Sequence, residues 1–214
     1  MNDWKSTHFQ HRTQYIPRIL HLVWVGNAGQ PDYLPKHIET WRELMPTWTI
    51  RLWTNDDLIA DEVETDVLSK ISEAERGTQK ADILKYYVVW KHGGIYVDAD
   101  VEPTSNLDPI VYMSELVLCH DNIITWEYIS CGFFAGSVNH PALRKAVDIC
   151  LRAQLNTNEP HMTTGPYALG LAVSQVPPQN MKYMNLEFEC FYRHNDGLFP
   201  NRFGRHFYAC AWDQ

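Results

Sequence analysis

The chain has 214 residues, of which 45% are hydrophobic, 13% aromatic and 21% charged, and that apolar fraction buries a real core and excludes wholesale disorder. Its net charge of −8, from 18 Lys and Arg against 26 Asp and Glu, comes with no basic cluster longer than a pair, which argues against a nucleic-acid surface and against adhesion to anionic lipid. The length suits one domain, no apolar run approaches the ~20 residues of a membrane span, and Met1–Tyr15 lacks the apolar centre of a signal peptide. The five cysteines are scattered without a C-x-x-C pair, and there is no Asn-x-Ser/Thr site. Reduced thiols and a soluble, cytoplasmic chain are therefore expected.

Residues 1–16 read as a loose lead-in. From Pro17 the run Arg18–Val25 is apolar and β-prone, and Gly26–Gly29 stops it, as for a strand buried on both faces. Residues 35–45 have helical spacing, Trp48–Trp53 reads as a second strand, Asp56-Asp57 could cap a short helix, and 64–75 is amphipathic. Thr78 is placed to cap a helix that runs to about His92, where Gly93-Gly94 ends it, and Ile95–Val97 follows as a short strand. Strands at 116–119 and 132–136 and helices near 140–155 and 167–175 complete an α/β alternation with no linker or repeat. Residues 190–214 read as an irregular, aromatic tail folded back over the body.

Asp98-Ala99-Asp100 sets two carboxylates on one side of an extended chain at the end of a buried strand, where α/β sheets place ligand groups. Hard oxygen donors of this kind suit Mg²⁺ or Mn²⁺ bridging to a diphosphate. The pattern alone is weak, because 14 aspartates give roughly one Asp-x-Asp by chance. The preceding helix is apolar nearly all round, hence buried, yet it carries Asp82 and Lys85 at i and i+3. A structural ion pair and a ligand site are both open readings, since burying charge for stability alone is seldom favourable. Trp24, after the first strand, could stack on a base or simply fill the core. His206 and Trp212 near the C-terminus pose the same question, and Thr163–Pro166 reads as a helix entry with hydroxyls and amides available to a ligand.

In this order the pieces resemble the DXD-type glycosyltransferases of family 32, which include yeast Golgi mannosyltransferases and are distantly related to glucosylating bacterial toxins. The matching stretches are Ile16–Gly26, Lys80–Tyr86 and Gly93–Asp100, with weaker echoes in Ser130–Ala135, His140-Pro141 and Thr164–Pro166. The resemblance implies a GT-A fold: an α/β, single nucleotide-binding domain over 1–214 with a mixed central sheet flanked by helices, its tail closing over the donor site. It implies a nucleotide-sugar donor, UDP-sugar (as UDP-glucose) favoured over GDP-sugar, a glycan or glycoprotein acceptor, Mn²⁺ or Mg²⁺ as cofactor, and retention of configuration. The donor residues it implies are Val23, Trp24, Val25, Asn55, Asp82, Lys85, Tyr96, Asp98, Ala99 and Trp212. Asp82, Lys85 and Asp100 are its catalytic set and Asp98 and Asp100 its metal ligands, with His206 as the candidate third ligand because the tail departs from the family at Ala211. Gly132, Phe133, Thr164 and Gly165 would face the sugar and acceptor. The chain departs from the pattern at Lys85, where relatives often have Arg, at Ala211, where Ser usually precedes the Trp, and at Cys131, which replaces a common Asn. Because the chain ends just after Trp212, further domains of the same polypeptide are also expected.

Two rivals stand beside this reading. A haloacid-dehalogenase-like phosphatase also places Asp-x-Asp after a buried strand, but at the first strand, whereas here it lies mid-chain before Val101-Glu102-Pro103. A non-catalytic glycan-binding module would use the aromatics and hold Ca²⁺, but it would not need a buried Asp82–Lys85 helix.

Overall fold

β1 (Ile19–Val23) takes up the apolar run after Pro17, and its residues from Leu20 to Val23 are buried. The computed structural model describes residues 13–120, 129–157, 159–177, 179, 182–186 and 203–206. The first twelve residues, Trp212 and most of the expected closing tail lie outside that set, as do Cys190, Cys210 and Ala211. After β1 come α1 (Tyr33–Leu44), β2 (Thr49–Trp53), α2 (Thr65–Glu73), α3 (Gly77–His92) and β3 (Gly94–Val97). Then follow β4 (Val101–Pro103), β5 (Leu116–His120), β6 (Ile129–Gly136), α4 (Pro141–Arg152), α5 (Pro160–Thr163), α6 (Pro166–Ser174), β7 (Tyr183–Leu186) and β8 (Gly204–His206).

Six strands form one mixed sheet in the order β2-β1-β3-β6-β5-β7. β1 runs parallel to β2 and β3, β6 is antiparallel to β3 and β5, and β7 returns parallel to β5. Alternation along each strand divides the core in two. Leu20, Leu22, Ile95, Val97 and Phe133 pack on one face against α1. Tyr96, Phe134, Leu116 and Leu118 pack on the other against α2, α3, α4 and α6. The mixed sheet flanked by helices is the architecture the sequence implies.

α3 is the centre of that second layer. Gln79 and the unbroken run Ala81–Val89 are all buried, as expected of a helix without a polar face. Its C-terminus turns at Gly93 (φ +64°) into Gly94 (φ +115°). A Cβ on Gly94 would stand 2.5 Å from the Ile19 carbonyl oxygen, so glycine is required there for backbone and for space.

Three local expectations are corrected. α3 begins one residue earlier than Thr78, with Arg76 at the N-cap and no side-chain cap bond; Thr78 Oγ1 is buried without a hydrogen-bond partner among the described residues. Asp56 and Asp57 lie inside a 3₁₀ turn (Asn55–Asp57) capped by Thr54, whose N–H donates to Asp57 Oδ2 at 2.8 Å. Within the segment read as irregular, Gly204–His206 is a strand, paired antiparallel with β4 so that Val101 faces His206. Neither three-residue strand is long enough to show a period of two in the sequence.

Candidate active site

The end of β3 fixes the first carboxylate. Asp98 N–H donates to the Gly132 carbonyl at 2.8 Å, and Val101 N–H closes a turn onto the Asp98 carbonyl at 3.0 Å. Ala99 points inward, 4% exposed in the α1-side core, and its carbonyl is met by His37 Nδ1 at 3.3 Å. A small apolar residue between the two aspartates therefore leaves Asp98 and Asp100 on the outer side. The β4–β8 pairing then carries His206 across, and its Nε2 lies 3.2 Å from both Asp98 Oδ2 and Asp100 Oδ1. Ligand atoms of all three lie within 4.8 Å of one another. Two carboxylate oxygens and an imidazole nitrogen at this spacing fit a Mn²⁺ or Mg²⁺ ion that keeps open positions for water or phosphate oxygens.

Tyr96, two residues earlier and on the same face as Asp98, donates its hydroxyl to Asp98 Oδ1 at 2.7 Å. Burial works to raise the Asp98 carboxyl, but the Lys85 charge and hydrogen bonds from His206 and Tyr96 outweigh it and hold the group below its usual range. Asp98 is thus kept ionised, the state a metal ligand needs.

Beside this cluster is a cavity of about 230 Å³ whose lining includes Thr78, Ala81, Asp82 and Lys85 from α3, with Tyr96, Asp98 and Cys131 from the sheet. Pro160, His161, Gly165 and Pro166 form its far wall. Lys85 Nζ bonds Asp82 Oδ1 at 2.6 Å, and both side chains are nearly buried. Its ammonium also sits 5.2 Å from the Tyr96 ring centroid, within cation–π range. Burial alone lowers a lysine, yet the Asp82 carboxylate, with Asp98 behind it, reverses this and holds Lys85 well above its ordinary value. The other oxygen of Asp82 accepts a hydrogen bond from the Thr164 hydroxyl at 2.9 Å. Among the described residues the Lys85 ammonium meets Asp82 directly, while Asp98 and Asp100 meet His206, and carboxylates in this excess suit a divalent cation.

Other expected site residues fall elsewhere. Val23 and Val25 have buried side chains, so only their backbone is available to a ligand. Asn55 is spent on the Gly26 backbone, accepting its N–H at 2.9 Å and donating to its carbonyl at 2.8 Å. The Trp24 ring, expected to stack on a base, is 5% exposed in the α1-side core, and its indole N–H donates to the Ala28 carbonyl at 3.0 Å. Phe133 is fully buried in strand pairing with Val97, and Gly132 acts through the carbonyl that receives Asp98. Thr164 is fully buried and turns its hydroxyl to Asp82 and not to the cavity, whereas Gly165 lines it.

Sequence reasoning missed Tyr33, His161 and Thr78. The Tyr33 hydroxyl on α1 is buried without a hydrogen-bond partner among the described residues, and burial together with the charges of Asp100 and Asp98 raises its pKa. In the sequence Tyr33 is simply the first residue of α1 after Pro31-Asp32, and nothing there signals proximity to Asp100. Cys131, a free thiol, is pushed up to about 12 by burial, against the pull of Lys85, and is a neutral neighbour rather than a nucleophile.

Residues 31–117 match the family model described as the glycosyltransferase sugar-binding region containing DXD motif. That matched stretch is where the chain resembles a DXD-type glycosyltransferase. Among its relatives is a Schizosaccharomyces pombe protein named inositol phosphoceramide mannosyltransferase 3, 26% identical over 170 residues that make up 76% of this chain and 46% of the relative. Another is mannosyl phosphorylinositol ceramide synthase CSH1 of Saccharomyces cerevisiae, 25% identical over 190 residues, 86% of this chain and 48% of that one. The chain thus spans about half the length of these curated relatives. Among solved structures it is similar to the PaToxG glycosyltransferase, with a TM-score of 0.58 at 13% identity over 75% of this chain and 68% of that one. It is also similar to a glycosyltransferase involved in glycosylation of the major capsid of PBCV-1, with a TM-score of 0.52 at 12% identity over 82% and 86%. These likenesses show a GT-A fold. Among the described residues no helix is long and apolar enough to cross a membrane.

Proposed function

We propose that this chain acts as a single catalytic domain that moves a hexose from a nucleoside-diphosphate sugar to a hydroxyl of a glycan acceptor, with a divalent ion held by Asp98, Asp100 and His206. The observation that carries this reading is the adjacency of that three-ligand cluster to a cavity of about 230 Å³ that holds a charged Asp82–Lys85 pair. A UDP-sugar is the donor favoured by the sequence resemblance. The names of the fungal relatives bring mannose, hence GDP-mannose, and an inositol-bearing phospholipid acceptor as the specific alternatives.

When bound, Mn²⁺ or Mg²⁺ supplies positive charge to the departing diphosphate. The chain's own residues do the rest. Lys85 adds a second, fixed charge at the rim between sugar and phosphate, worth more there than in water because the site is mostly buried. Asp82 keeps one lone pair free on each oxygen beyond its bonds to Lys85 and Thr164, and these accept donor-sugar hydroxyls. Tyr96 holds the Asp98 carboxylate in its plane. The bond from the anomeric carbon to phosphate oxygen breaks, the acceptor oxygen bonds that carbon from the same face, and its proton passes to the departing phosphate oxygen, so configuration is retained.

The test is turnover. Incubation with UDP-glucose or GDP-mannose and Mn²⁺ should release nucleoside diphosphate, chelation of the metal should stop it, and NMR of the glycoside formed should show the donor's anomeric configuration. An inverted product contradicts the same-face step. Mn²⁺-independent binding of free glycans without any response to nucleotide would favour the glycan-binding module instead.

A further inference from the structure

Three residues on one face of α3, at positions 79, 82 and 86, are hydrogen-bonded in order to three consecutive residues of the opposite cavity wall. Gln79 Nε2 donates to Thr163 Oγ1 at 3.2 Å, the Thr164 hydroxyl donates to Asp82 Oδ2 at 2.9 Å, and the Tyr86 hydroxyl donates to the Gly165 carbonyl at 3.0 Å. The steps of three and four residues are those of one helix face, so the 163–165 segment runs alongside α3 as a seam. The middle bond differs from the other two, because its acceptor is the carboxylate that faces the cavity.

Thr164 is fully buried and has one proton to give. The Pro160 carbonyl lies 3.5 Å from its oxygen against 2.9 Å for Asp82 Oδ2, and a carboxylate is the stronger acceptor, so the proton goes to Asp82. An aspartate's terminal torsion is broad and two-fold, and Lys85 is a flexible partner with a rotatable ammonium. A bond from Lys85 to Oδ1 alone leaves the carboxylate free to rock. A second, rigidly held donor on Oδ2 fixes its plane and therefore the directions of the lone pairs left for a ligand.

We propose that Thr164 is a positioning residue: through its hydroxyl it sets the Asp82 carboxylate plane, and so governs recognition of the sugar half of the donor while leaving the nucleotide half untouched. This rests on the donor reading given above. Thr164 touches no substrate in this role, which distinguishes it from the sugar- and acceptor-facing position that the sequence resemblance implies for it.

The experiment compares wild type with Thr164→Val, which keeps the shape and removes the hydroxyl, and Thr164→Ser, which keeps the hydroxyl. For whichever of UDP-glucose and GDP-mannose the wild type turns over with Mn²⁺, Thr164→Val should lose about tenfold to a hundredfold in kcat/KM, the span expected for a hydrogen bond to a charged group. Its affinity for the matching sugar-free nucleotide, UDP or GDP with Mn²⁺, should stay within about twofold of wild type, and Thr164→Ser should recover most of the lost kcat/KM. Equal losses of nucleotide and nucleotide-sugar binding, or a Thr164→Ser variant as poor as Thr164→Val, would overturn the proposal in favour of a purely structural bond. So would a Thr164→Val enzyme with wild-type kcat/KM. A wild type that turns over neither donor and binds neither nucleotide refutes the donor reading itself, and this inference falls with it.

Discussion

Replacing Lys85 by Met would remove the ammonium that pairs with Asp82 while keeping a similar unbranched side chain. The pair is 2.6 Å apart, with side chains 4% and 12% exposed, so the direct attraction at an effective dielectric near 20 is about 6 kcal/mol. Much of that is cancelled by the cost of drying both groups, and breaking a buried pair from one side costs about 3–5 kcal/mol because the remaining charge is stranded. For a chain of this length that is a fall of roughly 6–20 °C in melting temperature. The loss should also depend on pH. Burial pushes the Asp82 carboxyl up against the pull of Lys85 and Thr164, and without Lys85 its folded pKa rises further above the unfolded value. The folded state then binds more protons than the unfolded one, so the variant's stability relative to wild type is highest at low pH and falls as pH rises through that folded pKa. Urea denaturation of Lys85→Met and wild type at pH 5 and pH 8 measures this, with the larger gap expected at pH 8. Pairing it with Asp82→Asn should restore most of the stability but no activity, since the neutral pair strands no charge. A Lys85→Met protein as stable as wild type, or a double variant less stable than the single one, would show that the two groups are not held as a buried ion pair.

Tyr96→Phe removes the hydroxyl that holds Asp98 at 2.7 Å, and Mn²⁺ affinity followed by electron paramagnetic resonance should fall by about tenfold with an unchanged circular dichroism spectrum; unchanged affinity would place the hydroxyl outside the metal's support. Gly94→Ala puts a methyl 2.5 Å from the Ile19 carbonyl at φ +115°, which should cost about 2 kcal/mol or more in urea denaturation; a shift under half that would mean β1 and β3 yield easily. His21 is 1% exposed, with Trp53 Nε1–H donating to its Nδ1 at 3.0 Å and its Nε2 2.8 Å from the Gly93 carbonyl. Burial outweighs the backbone bond and lowers its pKa to about 4. The neutral ring's contribution is complete above the unfolded pKa near 6.5 and is lost as pH falls towards 4, up to about 3 kcal/mol in all. Its imidazole resonances should stay fixed from pH 7 to pH 5, and a midpoint near 6.5 would contradict the burial argument.

Long periodic segments were legible in the sequence because their signal is repeated. Arg18–Val25, the helix before Gly93-Gly94 and the α4 stretch each carry several residues that agree on one element; the first two are found within two residues of their expected ends, and α4 ends three residues before its expected end. Asp82, Lys85, Asp98, Asp100 and His206 were legible through their resemblance to a family, and the structure brings all five to one place. What the sequence concealed depends on pairing between distant segments. The β4–β8 ladder is three residues on each side, too short for any periodicity, yet it alone delivers His206 to the aspartates. The roles of Phe133, Asn55 and Thr164 were hidden for a related reason: a motif tells which residues recur near a ligand, not whether each touches it or holds a neighbour that does. Thr164, buried and turned to Asp82, belongs to the second kind.

Under the proposed function, Asp98, Asp100 and His206 hold a divalent ion that carries a nucleotide sugar into the adjoining cavity. Calorimetric titration of the protein with UDP-glucose and with GDP-mannose, each with and without Mn²⁺, tests it most directly. Binding of one donor only in the presence of Mn²⁺, abolished by Asp100→Asn in a protein that still melts cooperatively, is the predicted result. Donor binding that is equally tight without metal, or that survives Asp100→Asn, would contradict it.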